Sequence, residues 1–296
     1  DAPSRADVGS APQSDELDLL LMVDNSNSMA GEQELLGQEL PRLVAALASG
    51  DRNGDGTMDF VPVRSLHVGV VTSDMGAGPV VPPGETVPSC DNGLGDDGIL
   101  RTTGVTSSSG CVAAYPPIFD FGPPDDPLAF AHDVACVAVI GTGGCGFEQQ
   151  LEAVLKAVSP SSASASYVPG GYVPPRFAGS ARGHGDDTNG GFVRAGSVLA
   201  ILLVTDEEDC SVPDYSIFYR DTRFTSVGLN LRCFTFAADW LYPVERYVDN
   251  LLSLRTFPSR LVFAGIVGVP FDVAGSGVAA YDRVLADARM TETPDP

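Results

Sequence analysis

The sequence predicts an α/β fold, a three-layer sandwich in which helices flank a mostly parallel central sheet. Three observations lead there. Residues 17–23, 65–72 and 197–204 are nearly continuous apolar runs, as expected of strands covered on both faces. Helical periodicity alternates with them, at 31–48 for instance, which is the βαβ pattern of a parallel sheet. Two of the runs also stop abruptly on oxygen-bearing residues, Asp24 and Asp206, where α/β sheets bind ligands.

Residues 1–14, rich in Pro, Ser, Ala and Asp, read as a flexible tether. Residues 15–290 read as one domain, with loop insertions at about 75–126 and 159–191 and a frayed end at 291–296. The first strand ends in Asp24-Asn25-Ser26-Asn27-Ser28-Met29. One carboxylate and two hydroxyls at alternate positions of a turn suit a hard divalent cation.

Leu35, Leu36, Leu40, Leu43, Val44 and Leu47 then mark a helix, with a kink or restart expected at Pro41. Asp51, Asn53, Asp55, Thr57 and Asp59 follow at alternate positions around Gly56, the first half of a calcium loop. Pro62 stands where a bidentate Glu would close such a loop, leaving Asp59 as the closing carboxylate. An acidic glycine-rich turn is the alternative.

The second strand, 65–72, contains His67, read as a packed histidine. In the first insertion a short edge strand is expected at 111–115. Helices are expected at 127–140 and 147–158. Between them Gly141, Gly143 and Gly146 match a dinucleotide fingerprint, but no second strand and no acidic ribose ligand follow. The second insertion, with His184, Asp186 and Asp187, reads as a solvated loop. After the strand at 197–204 come a helix at 240–254, a strand at 261–267 and a final helix at 277–288.

The formal charge of -22 and a single lysine, Lys156, argue against a nucleic-acid partner. No apolar run reaches the roughly 18–20 residues needed to span a bilayer. The six cysteines lie in Gly/Pro/Ser-rich surroundings, which favours disulfides and an oxidising compartment. Proximity in sequence suggests Cys90–Cys111, Cys136–Cys145 and Cys210–Cys233 among the fifteen pairings.

Three segments together resemble the von Willebrand factor A (vWA) family: Asp24-Asn-Ser26-Asn-Ser28-Met29, the glycine-rich loop opening a helix at 144–151, and Val204-Thr205-Asp206. The resemblance spans about 15–269 and implies a Rossmann-like fold with a metal-ion-dependent adhesion site. Ser26 and Ser28 would bind Mg2+, Mn2+ or Ca2+ by their hydroxyls, and Asp24 and Asp206 directly or through water. The family's second-loop threonine is missing, and Glu148 is the candidate in its place; Glu207 replaces the family's glycine. Asp24, Ser26, Ser28, Glu148 and Asp206 are thus the expected metal set.

The segments 144–148 and 206–211 also resemble exported bacterial vWA proteins, often lipoproteins. The implied protein is an extracytoplasmic binding or adhesion module, secreted, periplasmic or on the outer cell surface, with a lipid anchor upstream of residue 1. It would bind a protein or glycan and hold a separate Ca2+ in the 51–59 loop. The alternatives are a structural, calcium-stabilised surface protein and a metal-assisted hydrolase. The hydrolase is disfavoured because no histidine lies near a strand end and neither His-Glu-x-x-His nor Gly-x-Ser-x-Gly occurs.

Overall fold

A computed structural model describes residues 14–87, 90, 93–275 and 277–291. All of the expected tether but Ser14, and all of the expected frayed C-terminus but Thr291, lie outside these residues. The fold is mixed α/β, with five strands and three disulfides. The strands are β1 (Glu16–Val23), β2 (Ser65–Thr72), β3 (Phe119–Phe121), β4 (Val198–Val204) and β5 (Leu261–Ile266). The helices are α1 (Ala30–Ser49), α2 (Pro127–Ala138), α3 (Gln150–Val158), the single turns α4 (Arg232–Thr235) and α5 (Ala237–Trp240), then α6 (Val244–Ser253) and α7 (Val278–Ala286).

The sheet order is β3-β2-β1-β4-β5, parallel throughout except for β3. β1 has neighbours on both sides, and its side chains divide by the two-residue period of a strand. Leu19, Leu21 and Val23 join a core cluster with Leu36, Leu40 and Val44 of α1 and Val134 and Val137 of α2. Leu20 and Met22 join a second cluster with Val154, Leu155 and Val158 of α3 and Tyr247 and Leu251 of α6.

α1 runs through Pro41 as one helix, so there is no restart at the proline. It ends at Gly50, whose φ of 74° and N–H bond to Ala46 O form a left-handed cap. A Cβ there would meet Phe60 O at 2.3 Å, so glycine is required on both counts. α2 begins at Asp126, which accepts the Leu128 N–H at 3.0 Å, with Pro127 in the first turn. α3 begins at Gln150, three residues later than expected, because the backbone at 148–149 is bonded outside the helix: Gln149 N donates to Ser73 O, just past β2, and Glu148 O accepts from Cys210 N. The expected helix at 240–254 is divided at Tyr242-Pro243, since proline interrupts the helical hydrogen bonding, and α6 starts at Val244.

The edge strand is β3, not 111–115, where a single bridge joins Thr103 and Ala114. Three residues are too few to display a period, although Phe119 and Phe121 point inward and Asp120 outward. The second insertion is not a solvated loop throughout. It buries Tyr172, His184 and Asn189 on the side of α3, and Phe192 follows directly after it. Asn189 Nδ2 donates to the carbonyls of Gly98, Ala157 and Gly183, tying both insertions to that helix.

Two expected disulfides are corrected. Cys90 bonds Cys145 and Cys111 bonds Cys136, while Cys210 bonds Cys233. The first insertion folds over α2: Val105 N donates to Cys136 O at 2.9 Å and His132 bonds Ser109 O at 3.1 Å, which brings Cys111 beside Cys136. Cys145 is buried in a cluster with Ala77, Val87 and Phe147, against which Cys90 packs. Loop-closure entropy rises only slowly with length, so proximity in sequence is a weak guide to pairing.

β5 is the opposite edge. Among the described residues it pairs with β4 only, and Val262, Phe263 and Ile266 are exposed. On α7, Val278, Tyr281 and Leu285 form a second exposed apolar stripe. No described helix is long and apolar enough to cross a membrane.

Candidate metal centre

Strand register builds the centre. Val23, Thr72 and Val204 are level across β2, β1 and β4. The next residues, Ser73, Asp24 and Thr205, form the row above. Asp24 is fully buried between the other two. Its Oδ1 accepts from Ser73 Oγ at 3.1 Å and Ser26 N at 2.8 Å; its Oδ2 accepts from Thr205 Oγ1 at 2.6 Å. The chain leaves β1 toward β2 on one side and meets β4 on the other, so Asp24 stands where the strand order reverses.

Beyond this row a line of oxygens runs outward. Ser26 Oγ and Ser28 Oγ lie 3.1 Å apart, and Ser28 Oγ donates to Asp206 Oδ1 at 3.1 Å. Ser26 is buried, while Ser28 and Asp206 are exposed. Four of the five expected ligands are therefore joined in one hydrogen-bonded chain with Thr205.

Glu148, the fifth, is brought in by backbone bonds. Gln149 N donates to Ser73 O at 2.9 Å, and Cys210 N to Glu148 O at 2.7 Å. Glu148 is buried, and its carboxyl shares a hydrogen bond with Glu207. Burial, then the Glu207 charge, push its pKa up to about 8, with a smaller contribution from Asp24.

Gln33 clips the glycine loop to the turn. Its Nε2 donates to Asp24 O at 2.8 Å and Gly141 O at 2.9 Å, and its Oε1 accepts from Gly141 N at 2.9 Å. Gly144 N donates to Asn25 O at 2.9 Å, and a Cβ at Gly144 would fall 2.2 Å from Asn25 Oδ1. The glycine there permits close approach to the metal-type turn, a role a dinucleotide reading would miss.

Among the described residues, no ion pair joins Asp24, Glu148, Asp206 or Glu207 to a Lys, Arg or His. Two buried acidic groups, Asp24 and Glu148, thus lie beside two exposed ones, Asp206 and Glu207. A cleft of about 590 Å³ opens beside them, lined by Glu148, Asp206, Glu207, Phe234 and Arg289 among others.

The 51–59 loop is exposed and bonded to itself. Asp51 Oδ1 and Oδ2 accept from Gly54 N and Gly56 N at 2.7 Å each, Asn53 Oδ1 from Asp55 N at 3.0 Å, and Asp55 Oδ1 from Thr57 N at 2.8 Å. Asp59 Oδ2 accepts from Arg52 N at 2.9 Å, closing the turn. Thr57 enters this network through its backbone.

Among the described residues, one group of three His, Cys, Asp or Glu has all ligand atoms within 4.8 Å: Cys111, His132 and Cys136. The two sulfurs form a disulfide, which leaves no thiolate for a metal. The carboxylates of neither expected metal set converge that closely, and in the first set serine hydroxyls span the gaps.

Sequence reading missed Ser73, Gln33 and the carboxyl pairing of Glu207. Ser73 carries a usable signal, since it follows an apolar strand as Asp24 does. Neither a scan against protein-family models nor a search of the curated proteins finds a match for this chain.

Proposed function

We propose that this chain is an extracytoplasmic, vWA-like binding module, a three-layer sandwich that holds a divalent cation at the carboxyl ends of β1 and β4. The observation that carries this is the row of strand-end oxygens around Asp24, whose acidic members make no ion pair among the described residues, although two of them, Asp24 and Glu148, are buried. Burying carboxylates without a counter-charge is unfavourable, and a bound cation offsets that cost.

The residues present fit such an ion. Asp24, Ser26, Ser28 and Asp206 offer oxygen only, as Mg2+, Mn2+ and Ca2+ prefer. Ser73, Thr205 and the Ser26 N–H orient the Asp24 carboxylate, and Gln33 holds the turn below it. Glu148 and Glu207 add carboxyl oxygens on the cleft side; a bound cation would favour their ionised forms, and the negative charge so developed would favour retention of the metal and disfavour an acidic partner. When bound, the ion would supply an electrophilic position for an oxygen of a protein or glycan ligand seated in the cleft.

A binding role is favoured over hydrolysis because each histidine bonds a backbone carbonyl elsewhere: His67 with Phe192, His132 with Ser109 and His184 with Ser159. The 51–59 loop is read as a separate Ca2+ brace, with Asp51, Asn53, Asp55 and Asp59 as its oxygen donors. Three disulfides support an oxidising location.

The test is calorimetric titration of Ca2+, Mg2+ and Mn2+ into EDTA-stripped protein, wild type and Ser26→Ala. One site should vanish in the variant while a Ca2+-preferring site persists. Identical stoichiometry in both proteins would remove the metal from the Asp24–Ser28 turn.

A further inference from the structure

At the amino ends of β4 and β5, opposite the candidate metal centre, lies a second cavity of about 290 Å³. Its polar lining is Arg255, Arg260, Ser166, Tyr167 and Thr256, and Phe257 contributes to its apolar walls. No Asp or Glu is among the residues that line it, in a chain with 39 acidic residues against 17 Lys and Arg.

Arg255 is the decisive group. Its side chain is only 2% exposed, and its buried Nε and Nη1 have no hydrogen-bond partner among the described residues. Its Nη2 reaches Ser197 Oγ at 3.3 Å and lies 3.9 Å from Asp18 Oδ2. That carboxylate is already engaged. Asp18 Oδ1 accepts from Arg194 Nε at 2.7 Å, and Oδ2 accepts from Arg194 N at 2.7 Å and from Ser197 Oγ. Buried N–H groups of a guanidinium left unsatisfied are unfavourable.

We infer that this cavity binds a small organic oxyanion, a carboxylate or phosphate monoester with an apolar body, through Arg255. Its charge would meet the guanidinium, the hydroxyls of Ser166 and Thr256 offer further donors, and the body would lie against Phe257 and the neighbouring apolar side chains. Burial, then the nearby Arg260 charge, press the Arg255 pKa downward, against the opposing pull of Asp18 and Tyr167. An anion would relieve that pressure. The inference rests on a different end of the sheet from the metal reading and survives its failure.

The experiment titrates benzoate, phenyl phosphate and inorganic phosphate, at constant ionic strength, into the wild type, Arg255→Met and Ala195→Leu, with calorimetry and melting temperature as readouts. Benzoate or phenyl phosphate should bind saturably to the wild type, more tightly than inorganic phosphate, and at least tenfold more weakly to both variants. Ala195→Leu fills the cavity while keeping every arginine, so it decides the matter if Arg255→Met does not fold. Absence of saturable binding to the wild type, or equal affinity in wild type and Ala195→Leu, would overturn the inference. Ordered water would then be what satisfies Arg255.

Discussion

Asp18 and Asp24 belong to the same stretch of chain, six residues apart, and both are fully buried. Asp18, near the start of β1, is paired with Arg194 at 2.7 Å and faces Arg255 at 3.9 Å. Asp24, just past its end, meets a serine, a threonine and a backbone N–H. Burial is therefore equal and charge compensation is not. A buried carboxylate with its own arginine is part of the scaffold; one surrounded by neutral donors is where the proposed cation would supply the missing charge.

The largest expected effect breaks the first half of this contrast. Arg194→Met leaves Asp18 without its main counter-charge and should cost about 3–5 kcal/mol in urea unfolding. Asp24→Asn in EDTA-stripped protein should stay within about 1 kcal/mol of wild type, since no ion pair is lost. Equal losses in both variants would erase the distinction.

Next in size is stabilisation by metal. A divalent ion at a hundredfold excess over its Kd should add about 2.7 kcal/mol to the wild type. Asp24→Asn should lose this increment, whereas Arg255→Met should keep it.

Asp209 sharpens the contrast within the acidic end. Its carboxylate accepts from Leu151 N at 2.9 Å and Ser211 Oγ at 2.9 Å, yet burial raises its pKa to about 6. The folded value exceeds the unfolded one, so its contribution is fully present below about pH 3.8 and is lost as the pH rises through 6. Asp209→Asn should remove a pH-dependent loss on the order of 2 kcal/mol, read from unfolding midpoints between pH 4 and 7.

The smallest effect concerns the exposed loop. Asp51→Ala should cost less than about 1 kcal/mol without calcium, as expected for surface turn bonds. It should abolish the Ca2+-preferring site and spare the one lost in Ser26→Ala.

What sequence made legible follows from how local each signal is. β1, β2 and β4 declare themselves by continuous apolar runs, and the residue after each run is therefore known. That is enough to propose Asp24, Ser26, Ser28 and Asp206 together, because parallel strands in register put their ends on one level. Glu148 was legible only by analogy, and its sharing of a hydrogen bond with Glu207 depends on backbone bonds between distant loops.

The insertions were the least legible. Glycine and proline remove periodicity, so nothing in 75–126 announces that Cys111 folds back onto Cys136. The buried pair of Lys156 and Asp97, 59 residues apart, was equally hidden. α3 places its lysine on a buried face, and only the fold of the first insertion supplies the acid.

The open flank of the sheet has a colloidal consequence. β5 offers an edge, unpaired among the described residues, that carries Val262, Phe263 and Ile266, the kind of surface on which strands of separate molecules stack. A formal charge of -22 keeps such molecules apart at neutral pH. That protection is electrostatic and therefore conditional. As the pH approaches 4.2, or as concentrated salt shortens the range of repulsion, this flank should seed assembly, with light scattering rising well before the core unfolds. Acidity in this chain thus acts as a solubility device at one flank, beside the ligand role proposed for it at the strand ends.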